Sequence, residues 1–389
     1  MSNFKVEFKL KQHTPIIHFQ SDQSGATLRA TELKPKLDRF LLQIVPDLSY
    51  RENANGDKSL EYKVKIEQDR STRIEIPERD PLFFGNMKPK DKTDEEWNKL
   101  KKRFKLSDKF LTIEFFTFNT NLKKAIEEHF EQFLAQTNFG TRQSKGFGSF
   151  YLVDKETKKP KDLDTKLITH KVYSFPSKKW KDDIKLLYQF LRQGVNLPNR
   201  EGTRFYSKPA IFSFAKSQKW EWDKKAIKEA YFSSVMKKHK QEHKGNDVVE
   251  FTSDKQYLLR DLFGLSSSQK WGKDYHGVSI EKEDTNKDPK EHKPVIERFK
   301  SPITFKVVNN YVYFWADKSV ERMLNQRFLI KAGRGNDTLE LPTPPHFDFE
   351  EFFDFTFSID LASHIDQKYH NQPEYATLRR IFKAIKGNQ

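Results

Sequence analysis

The segment Asn138–Phe150, NFGTRQSKGFGSF, holds the densest set of residues suited to an anion. Gly140, Gly146 and Gly148 allow positive φ angles and a close backbone approach to a ligand. Consecutive exposed N–H groups in such a turn form an anion-binding concavity. Arg142 and Lys145 stand beside it, and Phe147 suits either a stacked base or the interior. Phosphate binding is the functional reading. The competing one is a tight helix-to-strand connection whose glycines satisfy geometry alone. A nucleotide-binding P-loop is excluded, because that motif opens a helix after a strand and carries Lys-Ser or Lys-Thr. Neither pair follows Gly146.

Two further basic sets accompany it. In Leu28–Phe40, LRATELKPKLDRF, residues Arg29, Lys34, Lys36 and Arg39 fall at the start and along the exposed side of a helix. A helix N-terminus adds its N–H groups and dipole to such charge, which suits phosphate. In Asn199–Lys208, NREGTRFYSK, residues Arg200, Arg204 and Lys208 interleave with Phe205 and Tyr206. Arginine among aromatics suits single-stranded RNA, whose bases stack while its phosphates pair. The alternative is a structured loop that buries both rings.

Groups for covalent or metal chemistry are sparser. His13 and His18 flank Thr14-Pro15, and His170, Lys171 and Tyr173 stand together further on. Metal-free RNA cleavage needs such groups to move the protons of a 2′-OH nucleophile. Asp22 lies in a plausible loop but lacks a surrounding pattern for cleavage. His239 and His243 are four apart with Glu242 between, a spacing able to hold zinc. Lys240 breaks the H-E-x-x-H pattern, and a basic helix end is the simpler reading. The chain has no cysteine, hence no disulfide framework and no thiolate site. No cofactor is called for.

The elements that must position these groups follow from periodicity. Phe4, Val6, Phe8 and Leu10 alternate as a strand toward Thr14-Pro15. Leu33, Leu37, Phe40, Leu41 and Ile44 give a helix with Pro35 in its first turn. Leu60–Ile66 and Leu111–Phe118 are strands around a charged insertion, Glu78–Lys105. Leu122, Ile126, Phe130, Phe133 and Leu134 form one helical stripe. A strand over Phe147–Val153 completes β-α-β-β-α-β, the ferredoxin-like order. After a charged boundary at Lys155–Lys166 the plan restarts. A strand over Leu167–Phe175 leads to a helix with Asp182 and Asp183 in its first turn and Gly194 at its end. Helical patterns at Trp222–Lys238 and Lys255–Phe263 follow, then a hairpin of Pro302–Val308 and Tyr311–Trp315 across Asn309-Asn310. The expected fold is α+β: one half over residues 1–154 and another over 167–389, with a partly helical insertion at about 195–300.

Lysine and arginine number 71 against 55 acids, a formal charge of +16. A field of that sign attracts polyanions, nucleic acids foremost. Aromatics at 14% of the chain, 35 of them phenylalanine, exclude wholesale disorder. No apolar run is long enough to span a bilayer and the N-terminus lacks a signal-peptide core, so a cytoplasmic protein without a membrane partner is expected.

Thr14-Pro15, Leu28-Arg29…Leu33-Lys34, and Gly140…Arg142…Gly146-Phe147-Gly148-Ser149 together resemble the RAMP proteins of CRISPR systems. Arg298-Phe299-Lys300-Ser301-Pro302-Ile303-Thr304-Phe305-Lys306 is similar to an element in the second half of one RAMP group. That group is the first, head-end subunit of the type III-B (Cmr) RNA-targeting effector. Glu32 and Pro35 stand where the family has a small residue and a glycine, and Asp38 where an arginine is common. The resemblance implies two ferredoxin-like halves that bind the 3′ part of a guide RNA (crRNA), help capture target RNA and touch other RAMP subunits, without cutting RNA. A RAMP endoribonuclease acting on CRISPR transcripts is the alternative. A protein-binding scaffold using the acidic aromatic segment Phe347–Asp354 is another.

Overall fold

The computed structural model describes residues 4–17, 28–67, 93, 95–96, 104–107, 109–199, 202–232, 255–266, 268–270, 278–287, 294–333 and 337–387. The protein is α+β with small, mostly antiparallel sheets. It divides into two compact units, Met1–Lys181 with Thr304–Trp315, and Asp182–Ile303 with Ala316–Gln389. The hairpin expected in the second half thus folds within the first unit, because its strands pair with each other and with Tyr173–Pro176.

In the first unit, β1 (Lys5–Gln12) leads to α1 (Ala30–Ile44), β2 (Lys63–Glu67), β3 (Leu111–Phe116), α2 (Thr120–Gln136) and β4 (Phe150–Leu152). The four strands form one sheet in the order β2-β3-β1-β4, antiparallel throughout, with Phe8 opposite Ile113 and Leu10 opposite both Leu111 and Leu152. Alternation along β1 does what a period of two requires: Val6, Phe8 and Leu10 are buried between exposed lysine and glutamate. Phe4 lies outside the core, edge-on to Phe118 at 5.2 Å.

α2 begins where the Asn119 side chain accepts the Leu122 N–H, satisfying one of the orphan amides of its first turn. Its whole predicted stripe is buried. Each such side chain contributes roughly 1.5–3 kcal/mol by leaving water. Phe130 packs on Phe8 and Phe115 with ring centroids 4.6 and 5.0 Å away.

α1 starts at Ala30, so Pro35 lies inside the helix rather than in its first turn. The reason is Arg29, whose carbonyl already accepts the Glu32 and Leu33 N–H groups and begins the helix earlier. Most of the insertion Glu78–Lys105 lies outside the described residues.

β5 (Tyr173–Pro176) belongs to a three-stranded sheet with the strands Ile303–Val308 and Tyr311–Ala316. α3 (Trp180–Arg192) has Asp182 and Asp183 in its first turn, and Gly194 at φ 79° closes it. β6 (Val195–Asn199) and β7 (Gly202–Ser207) form a ribbon, followed by α4 (Ala210–Ser217) and α5 (Asp223–Tyr231). The helix expected at Lys255–Phe263 is instead a short strand, Gln256–Tyr257, and a 3-10 turn, Arg260–Phe263. Backbone pairing of Gln256 and Tyr257 with Glu221 and Trp222 overrides the local pattern. β8 (Ser268–Lys270) and β9 (Ser279–Asp284) join β12 (Arg327–Ala332) and β13 (Thr338–Pro342) in one antiparallel sheet.

β10 (Ile303–Val308) and β11 (Tyr311–Ala316) form the predicted hairpin, and Asn309 and Asn310 take φ of 47° and 63°. Those are the left-handed angles a two-residue turn demands. α6 (Phe349–Ser358) and α7 (Pro373–Gly387) complete the chain's helices named here.

Candidate nucleic-acid interface

The glycine segment connects α2 to β4, and three parts of the first unit clamp it. Thr14 is the first. Its hydroxyl donates to the Gly146 carbonyl at 2.7 Å and accepts the Ser149 N–H at 2.9 Å. Pro15 accepts the Gly148 N–H at 2.9 Å. The Thr-Pro pair therefore anchors a loop more than 130 residues away in sequence.

The second part is α1. The Glu32 carboxylate accepts the Gly140 N–H, and the Lys36 ammonium reaches Asn138 O at 2.9 Å, Gln143 Oε1 at 2.9 Å and Glu32 at 3.3 Å. Glu32, which departs from the RAMP pattern, is thus an internal anion seated on the loop.

The third part is β10, two motifs distant in sequence meeting in one unit. The Asn138 amide donates to Phe305 O and to Gln143 O, both at 2.7 Å, and the Ser149 hydroxyl donates to Val307 O at 2.7 Å. Lys306 is fully buried, with its ammonium near Thr137 O at 2.9 Å, Asn138 Oδ1 at 3.3 Å and Phe150 O at 3.3 Å. Burial, and then the neighbouring Lys36 charge, push its pKa down to about 7. Sequence reasoning missed Asn138, Glu32 and Lys306 as the loop's supports. A lysine amid the apolar run ITFKVV was the available signal for the last.

The backbone bears out the need for glycine. Gly140, Gly146 and Gly148 have φ of 80°, 83° and 66°. The N–H groups of residues 139, 140, 145, 146, 148 and 149 are already taken by partners within the protein. Those amides cannot cradle a phosphate, so recognition at this loop falls to side chains. Arg142 is half-buried and holds φ at 54°. A residue with a β-carbon there costs about 1–2 kcal/mol, strain that clusters at ligand-binding sites.

The other basic residues divide in two. Lys34 is tied to Asp38 at 2.7 Å and to Leu60 O at 2.7 Å, over the Tyr62 ring, and Lys36 is tied as above. The buried ammonium of Lys145 lies 6.0 Å from the Phe305 ring centre. Phe147 is buried edge-on against Trp180 at 5.0 Å, the interior alternative of its two readings. Arg29 is half-buried at the start of α1, and Arg39 is exposed, its Nε 3.3 Å from Pro35 O.

The groups weighed for cleavage look different in three dimensions. His13 is half-buried with its Nε2 shielded from solvent, and its Nδ1 accepts the Asn309 N–H at 3.3 Å. Burial above all, then Lys11 and Lys306, push its pKa down to about 3. Tyr173 is 2% exposed and stacked on Phe314 at 5.3 Å. His18, Asp22, His239, Glu242 and His243 lie outside the described residues. Among the described residues no group of three His, Asp or Glu side chains is placed to hold a metal.

His13 makes the first unit acid-sensitive. Its folded pKa of about 3 lies below the usual 6.5. Below pH 6.5 the unfolded chain takes up a proton that the fold refuses, so stability is lost as pH falls toward 3, by about 1.4 kcal/mol per pH unit. Unfolding measured from pH 7 to pH 4 should therefore show the wild type losing more stability than His13→Asn, which keeps an acceptor for Asn309 but does not titrate.

In the second unit, Arg204 grips Glu374 with both terminal nitrogens at 3.0 and 2.6 Å. Phe205 is buried and Tyr206 exposed. The Lys208 carbonyl accepts the His364 Nε2–H at 3.0 Å, and Arg200 lies outside the described residues. Phe347, Phe349, Phe352 and Phe353 are buried, so the aromatic half of the acidic segment is core rather than surface.

Two family models match the chain: the Cmr1 N-terminal domain over residues 3–195 and the Cmr1 C-terminal domain over residues 206–387. No curated protein and no solved structure matches it. No helix among the described residues is long and apolar enough to cross a membrane. With nearly its whole length matched, the chain belongs to the Cmr1 family, the RAMP proteins that form subunit 1 of the type III-B CRISPR Cmr effector.

Proposed function

We propose that the protein binds RNA without cutting it, contacting the 3′ part of the guide RNA and helping to capture target RNA beside other RAMP subunits in the cytoplasm. The observation that carries this reading is the strained Arg142. It stands on a loop of which six amides are committed to the fold, against the α1 turn that bears Arg29 and ahead of exposed Arg39. We assign phosphate contact to these three arginines. Lys34, Lys36 and Lys145 hold the frame. In the second unit Arg204 fixes α7, while Arg200 and Lys208 remain candidate contacts.

Two ferredoxin-like halves fit the strand orders. The first half reads 2-3-1-4, and β5, β10 and β11 read 2-3-1 across α3 and the insertion at about 195–300. His13 serves a nuclease reading poorly, since its Nδ1 is committed to a backbone amide and its Nε2 is shielded from solvent.

Binding of single-stranded RNA tests the assignment. If about five phosphates are neutralised, log K should fall against log salt with a slope near −3.5. Arg142→Ala should flatten that slope by about 0.7 with the RNA left intact on a gel. An unchanged slope would remove Arg142 from the interface, and cleavage would restore the endoribonuclease.

A further inference from the structure

α7 turns Tyr375, Leu378, Ile381, Phe382 and Ile385 into the core of the second unit. Arg379, Lys383 and Lys386 are exposed on its other side. Spaced four and three residues apart, they share one face, where like charges destabilise a helix. Lys386 has a structural reason to be there. It lies in the last turn, where the helix dipole favours a cation, and within electrostatic reach of Asp360. Arg379 lies two turns earlier and has no such reason.

The acids that border this face are already used. Arg204 takes Glu374, and Arg380 takes Asp183 at 2.5 Å. Among the described residues no carboxylate pairs with Arg379 or Lys383. A groove of about 680 Å³ follows the face, lined by His370, Tyr375, Arg379, Arg380, Lys383 and Gly387. At its other end the His370 imidazole lies parallel to the Tyr375 ring, with centroids 4.1 Å apart and planes 12° off. The His370 Nε2–H donates to Ile365 O at 2.8 Å, which fixes the imidazole. Cations along a groove with an aromatic pair at its end are the combination that holds a single strand, phosphates by charge and a base by stacking.

The geometry points to a second RNA-contact surface on α7, with Arg379 and Lys383 on phosphates and the His370 ring, backed by Tyr375, as a stacking platform. It deepens the RNA-binding reading above and rests on it. None of the basic residues singled out in the sequence lies on this helix.

The test uses the full chain and a labelled oligouridine, with anisotropy read across a salt series. Arg379→Gln with Lys383→Gln should flatten the salt slope by about 1.4, two contacts at about 0.7 each. A charge-matched control, Lys159→Gln with Lys166→Gln on another exposed surface, should leave the slope as it is. His370→Ala should weaken binding about tenfold at constant slope, because stacking carries little salt dependence. Thermal unfolding of each variant checks that the fold is kept. An unchanged slope in the α7 variant, while Arg142→Ala still flattens it, would overturn the α7 surface alone. Equal flattening in the control would overturn it as a mere charge effect. Unchanged RNA binding with loss of co-purifying Cmr subunits would give the face to a protein partner and overturn it too. A wild type that binds no oligouridine would remove both readings.

Discussion

Gly148→Ala should cost the first unit about 4 kcal/mol or more and abolish RNA binding with it. A β-carbon at that position would lie 1.9 Å from the Phe139 carbonyl oxygen and 2.7 Å from its carbon. Both are backbone atoms, so no side chain can rotate away. The Phe139 N–H is bonded to the Gly148 carbonyl, and any retreat of one strand of the loop breaks that closure. Retreat would also pull Gly148 from Pro15 and Ser149 from Thr14, the links that hold Arg142 in place. Gly202 is the matched comparison. It too has positive φ, 138°, but nothing lies within 4 Å of its added β-carbon. Gly202→Ala should therefore cost only the backbone strain, about 1–3 kcal/mol. Urea unfolding of the two variants separates the readings. Equal small losses would mean that the glycine loop can open to admit a side chain, and that its rigidity is not what positions Arg142.

Asp223→Ala should destabilise the second unit by about 3–5 kcal/mol. Asp223 is fully buried, and one of its oxygens accepts from Arg260 Nε at 3.0 Å and from Nη2 at 2.8 Å. Arg260 is itself 7% exposed, so removing the carboxylate leaves a guanidinium inside the protein without the acid that accepts from its Nε and Nη2. The Lys282–Asp261 pair alongside is equally buried and does not replace it, since Asp261 is already committed to that ammonium. A surface pair sets the scale. Arg327 and Glu340 touch at 2.9 Å with side chains 70% and 44% exposed. Glu340→Ala should change stability by less than about 1 kcal/mol, because water and salt screen such a pair. Denaturant midpoints for both variants check the contrast. A small loss for Asp223→Ala would mean that water reaches Arg260 once the carboxylate is gone.

Helices and strands with one-sided burial were legible from periodicity. The α2 stripe is buried as written, and so are Val6, Phe8 and Leu10 along β1. The Asn309-Asn310 hairpin and the end of α3 at Gly194 were readable because each depends on a few adjacent residues with restricted φ. Local patterns failed where distant pairing competed. Lys255–Phe263 reads as a helix, yet two of its residues take backbone bonds from the strand at Glu221–Trp222.

The candidate site divides in the same way. Glycine spacing and charge marked the 138–150 loop, and the Thr-Pro and R-x-x-S-P elements marked its two distant partners as motifs. Which cations face outward was not readable. Lys36 and Arg39 are three residues apart on one helix, and only the approach of Gln143 and Asn138 from another element makes the first a strut while the second stays exposed. Glu32 looked like a departure from a pattern until its carboxylate met the Gly140 amide.

The sequence by itself determined the α+β class, the basic character and the glycine loop, which rest on composition and short-range spacing, and its motifs pointed to the family by resemblance. Tertiary structure alone decided that six of the loop's amides are spent inside the protein, that Lys306 is buried beneath it and that, among the described residues, Arg379 and Lys383 on α7 meet no carboxylate. Each of those depends on the partner a polar group meets, and such partners lie as far as 197 residues away along the chain.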